Sequence, residues 1–170
     1  MTQNSTLIIR AALTGSIYRD LEIEGSKSLY RLAEAIVGSF NFDFDHAFGF
    51  YSGTKATTMM RQHPKYELFA DMGEAEDGAL SVKKTSVARA FPAIGHTMTF
   101  LFDYGDGWHF KVKLKGIGAK AAKVRYPRVM TSRGEAPAQY PDEDDLDDDA
   151  PTYGINPVTG EKIVFGSSQE

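Results

Sequence analysis

Thr97-Met98-Thr99-Phe100-Leu101-Phe102-Asp103-Tyr104-Gly105-Asp106-Gly107-Trp108-His109-Phe110-Lys111-Val112-Lys113-Leu114-Lys115 is the stretch whose reading decides the fold. Before Gly105, Met98, Phe100, Phe102 and Tyr104 alternate with Thr97, Thr99, Leu101 and Asp103. After Gly107, Trp108, Phe110, Val112 and Leu114 alternate with His109, Lys111, Lys113 and Lys115. A period of two is the repeat of a strand, whose successive side chains point to opposite faces. Two such runs around an Asp-Gly turn predict a β-hairpin with aromatics inward and lysines outward. Gly105 and Gly107 are expected to supply the turn's positive φ angles.

Upstream, Leu7–Leu13 reads as a strand, Thr14-Gly15-Ser16 as a turn, and Ile17, Arg19, Leu21 and Ile23 as one face of a second strand. Tyr18, Asp20, Glu22 and Glu24 fall on its other face, so the two runs predict an antiparallel hairpin. Leu29, Leu32, Ala33, Ile36, Val37 and Phe40 then recur with helical spacing, with Ser26 or Ser28 placed to cap the first turn. This amphipathic helix is expected to lie on the aliphatic face of the sheet. Phenylalanines alternate from Phe40 to Phe50 except at His46, and Ala47–Ser52 is the predicted strand within that run.

Residues 53–80 read as a long loop with a short strand near Lys65–Ala70, and Val82–Phe91 as a short helix ended by Pro92. Tyr126–Pro141, with Pro127, Pro137 and Pro141, reads as irregular. The fold class predicted is α+β: an antiparallel sheet, built from the N-terminal hairpin and the later one, with one main helix packed across it. A domain is expected over residues 1–141, followed by an acidic, disordered tail over 142–170. Asp142–Asp149 is almost wholly acidic and lacks the apolar surface to offset ordering entropy, so disorder is expected there. Tyr153–Phe165 reads as either an appended hairpin or a linear motif.

The chain of 170 residues contains no cysteine, which excludes disulfides, thiolate metal sites and a cysteine nucleophile. No run approaches the roughly 18–20 apolar residues that span a bilayer, and a cytoplasmic location is expected. Charge is unevenly spread. Residues 1–134 hold 18 Lys and Arg against 13 Asp and Glu, a net +5; residues 135–170 hold 1 against 10, a net −9; together these give −4. Phosphate-loop, dinucleotide-binding, nucleophile-elbow and HExxH signatures are absent.

Three features could carry chemistry. His46, Asp103, Asp106 and His109, beside Trp108, offer two carboxylates and two imidazoles, a donor set for a divalent cation or for acid–base work. The plainer reading is a tight turn in which aspartates bond their own backbone, with Trp108 a core aromatic whose N–H finds a carbonyl. The second feature is basic: Lys111, Lys113, Lys115, Arg125 and Arg128 belong to a run with no acid between Gly107 and Gly134, a face suited to phosphates. Its plainer reading is an edge strand guarded by lysines, or simply a solvated face. The third is the acidic tail, which could compete with a polyanion for that face or simply solubilise the chain. His63 and His96 are expected to be exposed.

Four motifs in order, Ser28-Leu29-Tyr30-Arg31-Leu32-Ala33-Glu34-Ala35-Ile36, His46-Ala47-Phe48-Gly49-Phe50, Phe102-Asp103-Tyr104-Gly105-Asp106-Gly107-Trp108-His109-Phe110 and Tyr126-Pro127-Arg128, resemble the plasmid pRi ORF-three-like family, also known as the insertion-sequence passenger TnpR family. The resemblance runs from about Leu7 to Pro141. It implies an α+β fold, an antiparallel sheet crossed by a helix, and a link to plasmids or mobile elements, but no activity. Many members carry a Cys-containing stretch where this chain has Ser132-Arg133-Gly134-Glu135-Ala136-Pro137. Three functions stay open at this point. They are a non-enzymatic module contacting nucleic acid or a nucleic-acid-bound partner, a metal-dependent hydrolase or small-ligand site at the Asp/His cluster, and a protein-binding groove lined by Trp108 and Tyr126.

Overall fold

The computed structural model describes residues 4–75, 78–141, 152–155 and 162–165. Eight strands form one sheet: β1 (Ser5–Ala12), β2 (Tyr18–Glu24), β3 (Phe48–Tyr51), β4 (Lys65–Glu67), β5 (Leu80–Ser81), β6 (Thr97–Phe102), β7 (Trp108–Ala119) and β8 (Arg128–Arg133). Their spatial order is β5-β4-β3-β6-β7-β1-β2-β8, and every pair is antiparallel except β4–β5. The deciding hairpin forms as expected, with Thr97 opposite Lys113, Phe100 opposite Phe110 and Phe102 opposite Trp108. Its positive φ angles fall at Asp103 (61°) and Gly107 (72°) and not at Gly105, because Asp103 begins the turn.

One face of the sheet carries Leu7, Ile9, Leu21, Ile23, Phe48, Phe50, Phe100, Phe102, Phe110, Val112 and Leu114, all in a single buried cluster. The phenylalanines of β3, β6 and β7 interlock, with Phe50 and Phe100 ring centroids 4.7 Å apart and Phe100 and Phe110 5.7 Å apart. Helix α1 (Leu29–Ser39) covers this face with Leu29, Leu32, Ala33, Ile36 and Val37, the stripe read from the sequence. Ser28 is its cap, its hydroxyl accepting from the Arg31 N–H. Short helix α3 (Val87–Ala90) is tied to the start of α1 through backbone bonds between Leu29 N–H and Thr85 and between Val87 N–H and Lys27.

The structure departs from the sequence reading in the short and exposed pieces. The strand near Lys65 ends at Glu67, and a five-residue helix, α2 (Leu68–Met72), follows where loop was expected. Its Asp71 accepts from the Ser81 hydroxyl and the Val82 and Lys83 N–H groups, which aligns Leu80–Ser81 as a two-residue parallel strand. The 82–91 helix is reduced to α3. Strand β8 occupies part of the segment read as irregular; all six of its residues are exposed, so no apolar alternation announces it. His96 is half-buried against Phe91, whereas His63 is exposed as expected.

Strand β7 lies between β6 and β1. Its lysines therefore do not guard a sheet edge, which removes that part of the plainer reading and leaves a solvated face. The β1–β7 ladder also skips Lys115, leaving it at a β-bulge while Lys111 and Lys113 stay in register with Ala12 and Arg10. The acidic stretch 142–149, and the disorder expected of it, lie outside the described residues. Beyond it, β9 (Thr152–Ile155) and β10 (Lys162–Phe165) pair antiparallel, the hairpin alternative of the sequence reading. Among the described residues no helix is long and apolar enough to cross a membrane.

Candidate functional site

The residues singled out at the deciding hairpin do not share one site. Asp103 is buried, and its Oδ1 accepts from the Gly105 N–H at 2.9 Å and the Asp106 N–H at 3.2 Å. Its own carbonyl accepts from the Gly107 N–H at 2.7 Å. One carboxylate oxygen is thus committed to the turn, as the plainer reading expected. The other, Oδ2, lies 3.6 Å from His46 Nε2. His109 follows Trp108 on the alternating strand and turns to the opposite face, where its Nδ1 donates to the Gly107 carbonyl at 2.6 Å. Asp106 is exposed. Among the described residues no three His, Asp or Glu side chains come together as a metal ion needs. The four residues therefore do not form one divalent-cation cage, because strand alternation separates His109 from His46 and Asp103.

What His46 does find is Asp45 and Tyr140. Its Nδ1 lies 2.7 Å from Asp45 Oδ1, and the Tyr140 hydroxyl donates to Asp45 Oδ2 at 3.1 Å while standing 3.3 Å from His46 Nδ1. Gln139 adds a two-way contact with the backbone of Asp43, accepting from its N–H and donating to its carbonyl. The segment before the tail is thereby fastened to the loop that precedes β3. The hydrogen bond to Asp45 raises the His46 pKa above its ordinary 6.5, with Asp103, Asp45 and Asp106 adding favourable charge. The bond to His46 correspondingly lowers Asp45 below its ordinary 3.8.

The pH dependence follows from these signs. The His46 contribution is complete below 6.5 and is lost as pH rises through the raised value; the Asp45 contribution is complete above 3.8 and is lost as pH falls through the lowered value. The fastening is therefore firmest between those limits. Proton NMR titration of the His46 imidazole should show a midpoint above 6.5 in the parent, falling back toward it in Asp45→Asn. An unchanged midpoint in that variant would show that Asp45 is not the cause.

Trp108 is half-buried with its ring 4.7 Å from Phe42, and its Nε1 is buried without a hydrogen-bond partner, contrary to the carbonyl partner expected. Tyr126 lies past the far end of β7, where its hydroxyl accepts from the Ala121 N–H. Trp108 opens the same 12-residue strand, so the two aromatics stand at opposite ends of it and line no common groove.

The outer face of the sheet holds two arrangements the sequence reading did not identify. The first is a chain of hydroxyls: Tyr104 donates to Tyr51 at 2.6 Å, and Tyr51 to Glu67 Oε1 at 3.0 Å. Burial pushes the Tyr104 phenol up to about 12 and raises Tyr51 further, so both stay protonated. Gly49 leaves room for the Tyr51 hydroxyl, which would lie 2.7 Å from a Cβ at that position. The second is a pattern of ion pairs. Each acid of β2 meets a cation: Arg10 grips Asp20 through Nε (2.7 Å) and Nη2 (2.8 Å), Arg128 grips Glu22 (2.6 Å), and Lys120 meets Glu24 (2.9 Å). Thr6 also donates to Glu22, and Gly118 leaves it space. Arg128 is consequently neutralised and is not a free phosphate ligand. Lys111, Lys113, Lys115 and Arg125 make no ion pair among the described residues.

A mostly antiparallel eight-stranded sheet, with one helix across its apolar face and a charged outer face crossed by short loops, defines this as an α+β protein of sheet-and-helix type. The chain belongs to the plasmid pRiA4b ORF-3-like family, whose model matches residues 9–144. It is similar in fold to a protein of unknown function from Methanosarcina mazei Go1, with a TM-score of 0.62 and 20% identity over 80% of this chain and 73% of that one. That likeness concerns the fold alone. No curated protein matches.

Proposed function

We propose that the protein is a non-enzymatic binding module that contacts nucleic acid, or a partner bound to it, through the outer face of β7. The observation that carries this is the distribution of charge on the outer face. Asp20, Glu22 and Glu24 are paired to Arg10, Arg128 and Lys120 respectively, whereas Lys111, Lys113 and Lys115 form no ion pair among the described residues. Unpaired ammonium groups held on a stiff central strand are suited to phosphates, because binding releases counterions from the polyanion without first breaking a protein ion pair. Arg125 extends the patch beyond the end of β7, and the plasmid association of the family fits a protein that works near nucleic acid.

Filter binding with mixed-sequence duplex DNA and with RNA tests the proposal. Retention is expected at low salt, with log affinity falling linearly in log salt. Changing Lys111, Lys113 and Lys115 together to Glu should abolish retention. Changing the three to Gln should reduce the magnitude of the salt slope by about 2–3. No retention of the parent protein at low salt removes nucleic acid as a ligand.

A further inference from the structure

A cleft opens on the outer face where the loop after β3 passes over β1, β6 and β7. It encloses about 600 Å³ and is lined by Ala12, Leu13, Thr54, Thr99, His109 and Lys111, among others. That volume is typical of small-molecule sites. The loop above it is held in place: the Thr99 hydroxyl donates to the Gly53 carbonyl at 2.8 Å, and Met59 is buried against Tyr51 and Leu101. Gly53 packs so closely that a Cβ there would fall 2.5 Å from the Met59 Cα. The roof is therefore anchored at both ends of residues 53–59.

The polar groups of the cleft have defined roles. A carbonyl only accepts, so the 2.6 Å contact between His109 and Gly107 places the proton on Nδ1. In the neutral imidazole the lone pair then lies on Nε2, which no group among the described residues engages. Lys111 lies two residues further on the same face of β7 and has no carboxylate partner among the described residues. Ala12 and Leu13 supply an apolar wall beside this acceptor and this cation.

We infer that this cleft binds a small hydroxylated organic anion, its anionic group on Lys111 and a hydroxyl donating to Nε2 of His109. This site stands apart from the polyanion face: it requires His109 and the cleft, which a nucleic acid backbone lying along β7 does not. It shares only Lys111 with that face.

The test is a titration of the full chain, followed by the His109 imidazole nitrogen resonances, with ribose 5-phosphate, with gluconate, and with neutral ribose. The first two arms distinguish a phosphate from a carboxylate as the anionic group. Saturable shifts are expected with at least one anion, at dissociation constants of about 0.1–1 mM, and not with ribose. Lys111→Met should weaken that binding about tenfold or more. Lys113→Met should leave it unchanged while weakening nucleic-acid retention, so the two readings fail separately. Absence of shifts with both anions up to about 20 mM, equal binding of ribose, or full affinity in Lys111→Met would overturn the inference.

Discussion

Replacing Phe100 by Ala should destabilise the protein by about 4 kcal/mol. Phe100 sits on β6, in the interior of the sheet, and is fully buried. Its ring centroid lies 4.7 Å from Phe50, 5.7 Å from Phe110, 5.8 Å from Phe48 and 6.5 Å from Phe102. The neighbours belong to three adjacent strands and are themselves locked against one another, so they cannot collapse into the space left by the ring. The cost is then the lost transfer energy plus the cavity, within the range of about 3–5 kcal/mol for aromatic truncations. Since domains of this size are stable by only about 5–15 kcal/mol, the variant should unfold at visibly lower urea with an unchanged slope. Phe100→Leu should recover much of the loss. A Phe100→Ala midpoint close to that of the parent would mean that the aromatic cluster is not the centre of the fold.

The same alternation that buries Phe100 made the fold legible. Period-two runs around Gly105-Asp106-Gly107 and around Gly15 specify two hairpins, and the Leu29–Phe40 spacing specifies the helix between them. Elements without an apolar face left no such signal. Strand β8 is exposed along its whole length and owes its shape to its ladder with β2; β5 is two residues long and follows from the grip of Asp71. Loss of these elements had a direct effect on the site reading. Without β8 beside β2, Arg128 looks like a free cation, although Glu22 holds it.

The candidate site was legible only in part for a similar reason. His46 and Asp103 were singled out together from the sequence, and the pairing of β3 with β6 brings them within 3.6 Å. Tyr140 was not, because it meets His46 and Asp45 across some 94–95 residues from a segment with no periodicity. His109 and Lys111 carry a signal that was available: they are two residues apart on one strand, and therefore on one face. Assigning His109 to the turn aspartates ignored that parity, whereas respecting it places an acceptor and a cation side by side over the cleft.

Arg19 is the clearest case of a residue whose place only the three-dimensional structure explains, and its replacement is expected to have the second-largest effect. In the β2 alternation it falls with Ile17, Leu21 and Ile23 on the apolar side, and it is 6% exposed. Its Nε donates to the Ser39 carbonyl at 3.0 Å; its Nη1 donates to the carbonyls of Arg133 (2.8 Å), Tyr18 (2.9 Å) and Gly134 (3.1 Å). The guanidinium also stacks 4.5 Å above Phe40. It therefore joins the last turn of α1, where unpaired carbonyls carry partial negative charge, to the end of exposed strand β8. Arg19→Ala would strand these carbonyls and should cost about 3 kcal/mol. Arg19→Lys should lose most of the same amount, because an ammonium cannot reach α1 and β8 together as a planar fork does. Hydrogen exchange supplies the decisive readout: in both variants the β8 amides that pair with β2 should exchange faster while β6 and β7 remain protected. Full stability and unaltered exchange in Arg19→Lys would show that charge alone, and not the fork, fastens β8 to the sheet.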